Sequence, residues 1–294
     1  MIEITQKRSP INIARGLLRL CHPLPVLFHA IAVTIFALLA GWPHLNWFVL
    51  ALIVLAHTAM QCAIAVFNDY CDRHLDIAAQ KMQKPLVNGR VRPREALIFG
   101  SAFLILMLVL LLLLNIPALL ISLLYLAFGM AYNLGLKSTP FSGIVFALAI
   151  PLIPVYAFVA FNHFMPFLYW LVPIAALLGV ALNLANSLPD LEGDAANQAR
   201  TLAVFLGLRG TFLTCPLLIV AGGFLITLTW YAHLVPAQST LLLIALLLSG
   251  ILLLAFSLYS GPNKPQTTRK GYFYLLVLTC LILGGGWIAA ALLT

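Results

Sequence analysis

The sequence predicts an all-α membrane protein with nine transmembrane helices, from its composition, its apolar segments and its charge distribution. Hydrophobic residues make up 63% of the 294 residues and charged residues only 8%, and the mean hydropathy is +1.06. A soluble domain carries about 25% charged residues. The chain is therefore predicted to be a polytopic membrane protein, and a soluble class is excluded.

Apolar segments close to 20 residues long, the length that crosses a bilayer as a helix, define the nine predicted spans. They are Pro25–Ala40, Trp47–Val66, Ala96–Leu114, Pro117–Leu136, Phe141–Phe161, Phe167–Leu188, Thr211–Ala232, Thr240–Tyr259 and Tyr272–Leu293. The first span follows basic residues, including Lys7 and Arg8, as the core of a signal sequence does, but no small-residue cleavage pattern follows it. We expect an uncleaved first helix and a single transmembrane domain over residues 1–294.

The charged residues all fall on one side of the membrane in this topology. The segments on that side contain all 16 Lys and Arg and all eight Asp and Glu, whereas segments 41–46, 115–116, 162–166 and 233–239 contain none. The positive-inside rule makes the charged side cytoplasmic, so the N-terminus is expected inside and the C-terminus outside. The same topology explains the net charge of +8 without a nucleic-acid partner.

The five cysteines have neither metal-ligand nor redox spacing.

Two acidic motifs with the same N-x3-D-x3-D spacing follow the second and sixth spans, 118 residues apart. They consist of Asn68, Asp72 and Asp76, and of Asn186, Asp190 and Asp194. Residues four apart share one face of a helix, so each motif predicts a polar stripe where its span continues as a helix beyond the apolar run. Asp69 lies beside the first stripe, and Gln61 and Asn183 extend the two stripes into the membrane.

Carboxylates clustered in this way repel one another by about 3 kcal/mol per pair at an effective dielectric constant near 20. No lysine or arginine lies one helical turn from Asp72 or Asp190. Magnesium would relieve the repulsion, since it binds one or two carboxylates and keeps water and phosphate oxygens as further ligands. The alternative is a solvated helix end without a ligand. The repetition of the motif on the same membrane side favours a site.

Basic residues accompany both motifs and suit a bound diphosphate. The candidates for diphosphate binding are Lys81, Lys84, Arg90, Lys137 and Arg200. Other basic residues are interpreted as ordinary positive-inside charges, namely Arg92, Arg94, Arg209 and the cluster from Lys264 to Lys270. Glu192 lies off the face of the second stripe. It is interpreted as solvated, or as a group that contacts the metal ligands without binding the metal.

A diphosphate site beside an apolar interior indicates an isoprenyl diphosphate, whose head needs magnesium and whose tail needs lipid-like walls. We expect helix breaks at Pro151, Pro154 and Pro173 where this interior lies. Metal and basic side chains would stabilise the departing diphosphate. An aromatic or amide group would stabilise the allylic carbocation that remains.

Four sequence motifs resemble those of the UbiA superfamily of intramembrane prenyltransferases, and the resemblance covers nearly the whole chain. They are FNDYCDRHLD at 67–76, KPLVNG at 84–89, YNLGLK at 132–137 and PDLEGDAANQARTLAVFLG at 189–207. The resemblance implies nine helices in a bundle around a central cavity open to lipid, with two magnesium ions at the acidic motifs. Lys84 stands where members of the superfamily commonly have arginine. The PDLEGD form looks more like members that act on homogentisate, chlorophyllide or naphthoate than on 4-hydroxybenzoate.

These observations define the expected site residues. The metal ligands are expected to be Asp69, Asp72, Asp76, Asp190 and Asp194, and the catalytic residues Asn68, Asp72, Tyr132, Lys137 and Asp190. Asn68 and Tyr132 would line the carbocation. No dedicated general base is evident.

The predicted function is magnesium-dependent transfer of an isoprenyl group from an isoprenyl diphosphate to a small acceptor, expected to be aromatic but left open to a lipid. A membrane terpene cyclase of the same superfamily is the alternative, since it would ionise the same substrate and capture the cation internally. A secondary transporter also has repeats and broken helices. It is disfavoured because transporters place ionisable groups near the bilayer midplane, whereas here every charge lies at one face.

Overall fold

The computed structural model describes residues 9–196 and 198–294, and Glu3, Lys7 and Arg8 lie outside them. Within these residues nine helical stretches are long and apolar enough to cross a membrane, which confirms the predicted number of spans. They are Pro23–Gly41, Trp47–Ala78, Pro93–Leu112, Ile116–Asn133, Ser142–Ala160, Leu168–Ala196, Leu202–Tyr231, Ser239–Tyr259 and Gln266–Leu292. The described residues contain no β-strand.

The chain forms two units, of which the first consists of described residues 9–134 and 156–163. Its complete helices are α1 (Pro10–Leu20), α2 (Pro23–Gly41), α3 (Trp47–Ala78), α4 (Pro93–Leu112) and α5 (Ile116–Asn133). Helix α3 packs against α2, α4 and α5 and so lies at the centre of this unit. Small buried residues on α3, such as Ala56, Ala59 and Ala63, allow the neighbouring helices to approach closely.

Helix α3 continues well beyond its apolar part, as the first acidic motif requires. It begins after Asn46, whose Oδ1 accepts hydrogen bonds from the backbone N–H groups of Phe48 and Val49. It then runs for 32 residues to Ala78 and carries Asn68, Asp72 and Asp76 on continuous helix. The predicted first stripe is therefore confirmed as a helical one.

Helix α1 is amphipathic and was not predicted, because 11 residues are too few to register as a membrane span. Ser9 caps it by accepting a hydrogen bond from Asn12 N at 3.2 Å. Leu20 is buried and Leu18 is exposed. A Cβ at Gly16 would lie 2.6 Å from Val91 Cγ2, so glycine allows α1 to rest against the loop that follows α3.

The second unit consists of described residues 135–155 and 164–294. Its helices are α6 (Ser142–Ala149), the start of α7 (Leu152–Ala160), α8 (Leu168–Ser187), α9 (Leu191–Ala196), α10 (Leu202–Tyr231), α11 (Ser239–Tyr259) and α12 (Arg269–Leu292). Helix α8 packs against α6, α10 and α12, and α11 packs against α12. Helix α10 is interrupted at Gly207, whose φ of 69° favours glycine.

Prolines interrupt the helices at some of the predicted places and not at others. The break at Pro151 is confirmed, because α6 ends at Ala149 and α7 begins at Leu152. Pro154 lies in the first turn of α7, where proline is tolerated. The break expected at Pro173 is wrong: α8 runs through this residue, as membrane helices often do when neighbouring groups compensate for the missing N–H.

The second acidic motif does not lie on one continuous helix, which corrects the prediction of a second regular stripe. Helix α8 ends at Ser187, a 3₁₀ turn spans Leu188–Asp190, and α9 follows. Pro189 accounts for the change, because proline lacks an N–H and its ring clashes with the carbonyl four residues earlier in an α-helix. Asp190 therefore lies in a tight turn and Asp194 on a short helix.

Candidate active site

Lys84 joins the two buried aspartates of the first motif. Asp69 and Asp76 are 2% and 3% exposed, and they share a face of α3 because they are two helical turns apart. Lys84 Nζ donates hydrogen bonds to Asp69 Oδ1 at 2.8 Å and Asp76 Oδ2 at 2.6 Å. Burial alone would lower the pKa of the Lys84 ammonium, but the two carboxylates outweigh it and raise this pKa above its ordinary value.

The segment KPLVNG holds Lys84 in this position. Backbone hydrogen bonds close it, from Val87 N to Lys84 O at 3.1 Å and from Val91 N to Pro85 O at 3.1 Å. Leu86 and Val91 are buried in an apolar cluster with Leu20 of α1. These backbone bonds and buried side chains hold the loop in place, so Lys84 reaches Asp69 and Asp76 from a fixed backbone position.

Two further side chains approach the same carboxylates. Lys81 Nζ lies 3.2 Å from Asp76 Oδ1, with 48% of the lysine side chain exposed. His22, between α1 and α2, places Nε2 at 3.2 Å from Asp69 Oδ1. The sequence pattern did not indicate His22, because nothing in its spacing relates it to the motif. Arg90, a predicted diphosphate ligand, packs its aliphatic carbons near Gly16 of α1.

Asn68 is oriented by a second asparagine at the end of α5. Its Nδ2 donates to Asn133 Oδ1 at 2.8 Å, and Asn133 Nδ2 in turn donates to Ile64 O at 2.8 Å. Asn133 is 4% exposed and follows Tyr132, which is half-buried like Asn68 and Asp72. This hydrogen bond joins Asn68 to the end of α5, the helix that also carries Tyr132. Asn133 lies within the motif YNLGLK, and nothing in the sequence pattern indicates this role.

A buried polar cluster continues inward from the first motif along α3. Gln61 Nε2 donates to Tyr125 OH at 2.9 Å and lies 3.2 Å from His57 Nε2. The His57 ring lies 5.8 Å from that of His29, centroid to centroid. Polar side chains inside a membrane are costly unless they bond to one another, so these contacts account for the predicted inward extension at Gln61.

The second motif lies with two of the predicted basic residues in the second unit. Asp190 is exposed and Asp194 half-buried. The chain after Asp194 turns back, as Ala199 N donates to Asp194 O at 2.9 Å, and Arg200 N donates to Ser138 O at 3.0 Å. Since Ser138 follows Lys137, this bond places Arg200 beside the turn that carries Lys137.

The donor set fits magnesium bound together with a phosphate group. Among the described residues, no group of three or more His, Cys, Asp or Glu could hold a metal ion alone. Magnesium does not need such a group, because one or two carboxylates suffice when phosphate and water complete its six ligands. Each unit taken by itself has carboxylates that are not fully buried: Asp72 is half-buried in the first, and in the second Asp190 is exposed and Asp194 half-buried.

The fold and these motifs define a polytopic helical membrane enzyme with acidic and basic groups at helix ends. Residues 27–278 match the model of the UbiA prenyltransferase family. The chain belongs to this family, and it is a prenyltransferase.

Curated relatives with similar sequences are 4-hydroxybenzoate octaprenyltransferases. That of Actinobacillus pleuropneumoniae serotype 5b is 30% identical over 210 residues, which cover 67% of this chain and 70% of the relative. That of Methylobacillus flagellatus is 29% identical over 196 residues, or 65% of this chain and 63% of the relative. The acceptor in these relatives' names is 4-hydroxybenzoate.

Solved structures share the fold at lower sequence identity. A digeranylgeranylglyceryl phosphate synthase structure superposes with a TM-score of 0.72 at 21% identity, covering 96% of this chain and 99% of the other. A UbiA homolog from Aeropyrum pernix K1 superposes with a TM-score of 0.70 at 20% identity, covering 89% of this chain and 96% of the homolog. A UbiA homolog from Archaeoglobus fulgidus bound to GPP and Mg²⁺ superposes with a TM-score of 0.68 at 19% identity, covering 93% of this chain and 99% of the homolog.

Proposed function

We propose that this prenyltransferase moves an isoprenyl group from an isoprenyl diphosphate to an aromatic acceptor, with magnesium, and releases diphosphate. The observation that carries the proposal is the polar end of α3, where Asn68, Asp72 and Asp76 share one helix with a long apolar part. This arrangement suits a substrate with a charged head and an apolar tail. The Archaeoglobus fulgidus homolog binds GPP and Mg²⁺, and the curated relatives are named for an aromatic acceptor.

In this proposal both acidic motifs serve one diphosphate and hold two magnesium ions. The ligands are Asp69, Asp72, Asp76, Asp190 and Asp194, and the diphosphate is bound by Lys81, Lys84, Arg90, Lys137 and Arg200. When bound, magnesium neutralises diphosphate charge and makes it a better leaving group. The basic side chains bind the same oxygens and stabilise the charge that develops as the C–O bond breaks.

The proposed chemistry is ionisation followed by capture. The allylic C–O bond breaks and its electron pair leaves with the diphosphate. Asn68 and Tyr132 stabilise the cation, and the hydrogen bond to Asn133 fixes the direction of the Asn68 amide. The electron-rich ring of the acceptor then forms the new C–C bond. Its ring proton passes to water or to the released diphosphate, which restores aromaticity.

The proposal is tested by incubating purified protein with prenyl diphosphates of several lengths and a panel of aromatic and lipid acceptors, with products identified by mass spectrometry. The expected product is an aromatic acceptor that has gained one prenyl group and lost one hydrogen. A cyclic hydrocarbon or alcohol formed without acceptor would establish the terpene cyclase alternative instead. A prenylated lipid alcohol would replace the aromatic acceptor in the proposal.

Replacing Asn133 by alanine is expected to lower turnover about fivefold at saturating substrate. The reason is that Asn68 loses one orienting hydrogen bond, and such a bond contributes about 1 kcal/mol. Turnover is measured as diphosphate release. Asn115→Ala provides the control, because Asn115 caps the opposite end of α5. Equal turnover in Asn133→Ala and Asn115→Ala would contradict the orienting role.

We also propose that the motifs face the cytoplasm, with the N-terminus inside and the C-terminus outside, as the charge distribution predicts. Reporter enzymes fused after Thr294 and within the loop at Arg92 test this topology. An enzyme that is active only outside the cytoplasm is expected to work at the C-terminus and to fail in the loop. The reverse result would overturn the orientation and leave the reaction unaffected.

A further inference from the structure

We infer that Arg269 is a positioning residue that fixes the second acidic motif, an inference that rests on the proposed function of that motif. Arg269 is the first residue of α12 and is only 4% exposed. The sequence predicts only an ordinary positive-inside charge at this position, and the nearby Lys264 and Lys270 are exposed. A buried guanidinium at a helix start needs partners, and all of those found lie in the segment that carries Asp190.

The guanidinium binds on both sides of Asp190. Its Nη1 donates to Leu188 O at 3.0 Å and also to Glu192 Oε2, and its Nη2 donates to Glu192 Oε1 at 2.7 Å. Gln266, three residues earlier, donates from Nε2 to Pro189 O at 2.8 Å. Residues 188, 189 and 192 are therefore all bound from one short stretch, and Asp190 lies between them.

The break in the helix explains why these bonds are needed. Residues at the end of a helix have carbonyl groups without intrahelical partners, and Pro189 ends α8 here. Leu188 and Leu191 are buried and anchor the apolar side of the turn, while Asp190 stays exposed. Arg269 and Gln266 supply the N–H groups for the carbonyls, and this fixes the direction in which Asp190 points.

Arginine suits this role better than lysine. Its planar fork binds a carboxylate through two parallel hydrogen bonds while another N–H reaches the carbonyl. The stretch that carries it is itself closed, because the Oγ of Ser260 lies 2.7 Å from Thr268 Oγ1, and Thr268 Oγ1 donates to Pro265 O at 2.8 Å. The closed turn, the guanidinium of Arg269 and the amide of Gln266 therefore hold the second acidic motif together. In the proposed function they position Asp190 and Asp194 to bind magnesium.

The test compares Arg269→Gln with Lys270→Gln, which removes one positive charge from the adjacent exposed position. Hydrogen–deuterium exchange is followed in peptides that cover residues 186–196. Arg269→Gln is expected to increase exchange there, with little change in peptides from α11, whereas Lys270→Gln leaves the segment as in the wild type. The magnesium concentration for half-maximal diphosphate release is expected to rise about tenfold in Arg269→Gln, since outer partners of metal ligands contribute 10- to 100-fold in affinity.

Two more variants keep the inference open to refutation. Glu192→Gln removes the carboxylate that binds Arg269, and it is expected to fold because Glu192 is exposed. It is expected to show the same increase in exchange and in magnesium requirement, so it tests the inference even if Arg269→Gln does not fold. Arg269→Lys keeps the charge without the fork and is expected to give intermediate values. Unchanged exchange and an unchanged magnesium requirement in Glu192→Gln would overturn the inference. Failure of the proposed function would appear differently, as a wild-type protein without magnesium-dependent diphosphate release.

Discussion

Replacing Asp72 or Asp190 by asparagine is expected to lower the rate of prenyl transfer by about 100- to 1,000-fold. Asparagine keeps the size of each side chain and removes the charge that binds magnesium, and loss of one preorganised electrostatic partner costs about this much in rate. Removal of magnesium with a chelator is expected to abolish turnover in the wild type as well. Diphosphate release at saturating prenyl diphosphate and acceptor is the measurement.

The control for these variants is Glu95→Gln. Glu95 is an acidic residue of the first turn of α4, where it accepts a hydrogen bond from Arg92 N at 2.7 Å. Glutamine keeps an oxygen that accepts this hydrogen bond and removes only the charge, so the change is expected to cost less than about 1 kcal/mol of stability and to leave turnover unchanged. Full activity in either Asp72→Asn or Asp190→Asn would mean that the two motifs do not act on one diphosphate.

Replacing Lys84 by glutamine is expected to destabilise the protein by about 3 kcal/mol. The change leaves Asp69 and Asp76 buried and without the ammonium that joins them, and removal of one partner from a buried ion pair costs about 3–5 kcal/mol. The exposed ion pair at Lys81 contributes less than about 1 kcal/mol, so Lys81→Gln is the matched control. Thermal unfolding in detergent, without magnesium, measures both.

The melting temperature of Lys84→Arg is expected to stay close to that of the wild type, since a guanidinium also reaches two carboxylates.

Because the pKa of Lys84 is raised, its stabilising contribution is complete below the ordinary lysine pKa and is lost only as the pH rises through the raised value. The difference in stability between wild type and Lys84→Gln should therefore be constant between about pH 7 and 9. Equal melting temperatures for Lys84→Gln and Lys81→Gln would contradict the bridging role.

The sequence was sufficient for the membrane spans because lipid demands long apolar helices whose backbone is bonded internally. It was insufficient where a helix is too short to show an apolar run, and where a single residue breaks a regular spacing. Helix α1 is short and amphipathic, so no apolar run marks it. The 3₁₀ turn at Leu188–Asp190 follows from Pro189, which breaks the four-residue spacing that the repeat of the motif suggested.

The acidic residues of the candidate site were predictable from their spacing, whereas their partners were not. Lys84 follows Asp69 by 15 residues and reaches it only because the KPLVNG loop folds back. Asn133 is 65 residues from Asn68, and Arg269 is 77 from Glu192. Such pairs depend on helix packing, which composition and spacing do not encode, so Arg269 was interpreted as one more cytoplasmic charge.

In the proposed reaction, magnesium, a prenyl diphosphate and an aromatic acceptor act together in a single turnover. The most direct measurement quantifies released diphosphate and prenylated aromatic product in the same reaction, with magnesium and with a chelator. Equal molar amounts of the two are expected with magnesium, and neither is expected with the chelator. Diphosphate release without prenylated acceptor, or prenylated acceptor formed in the chelator, would contradict it.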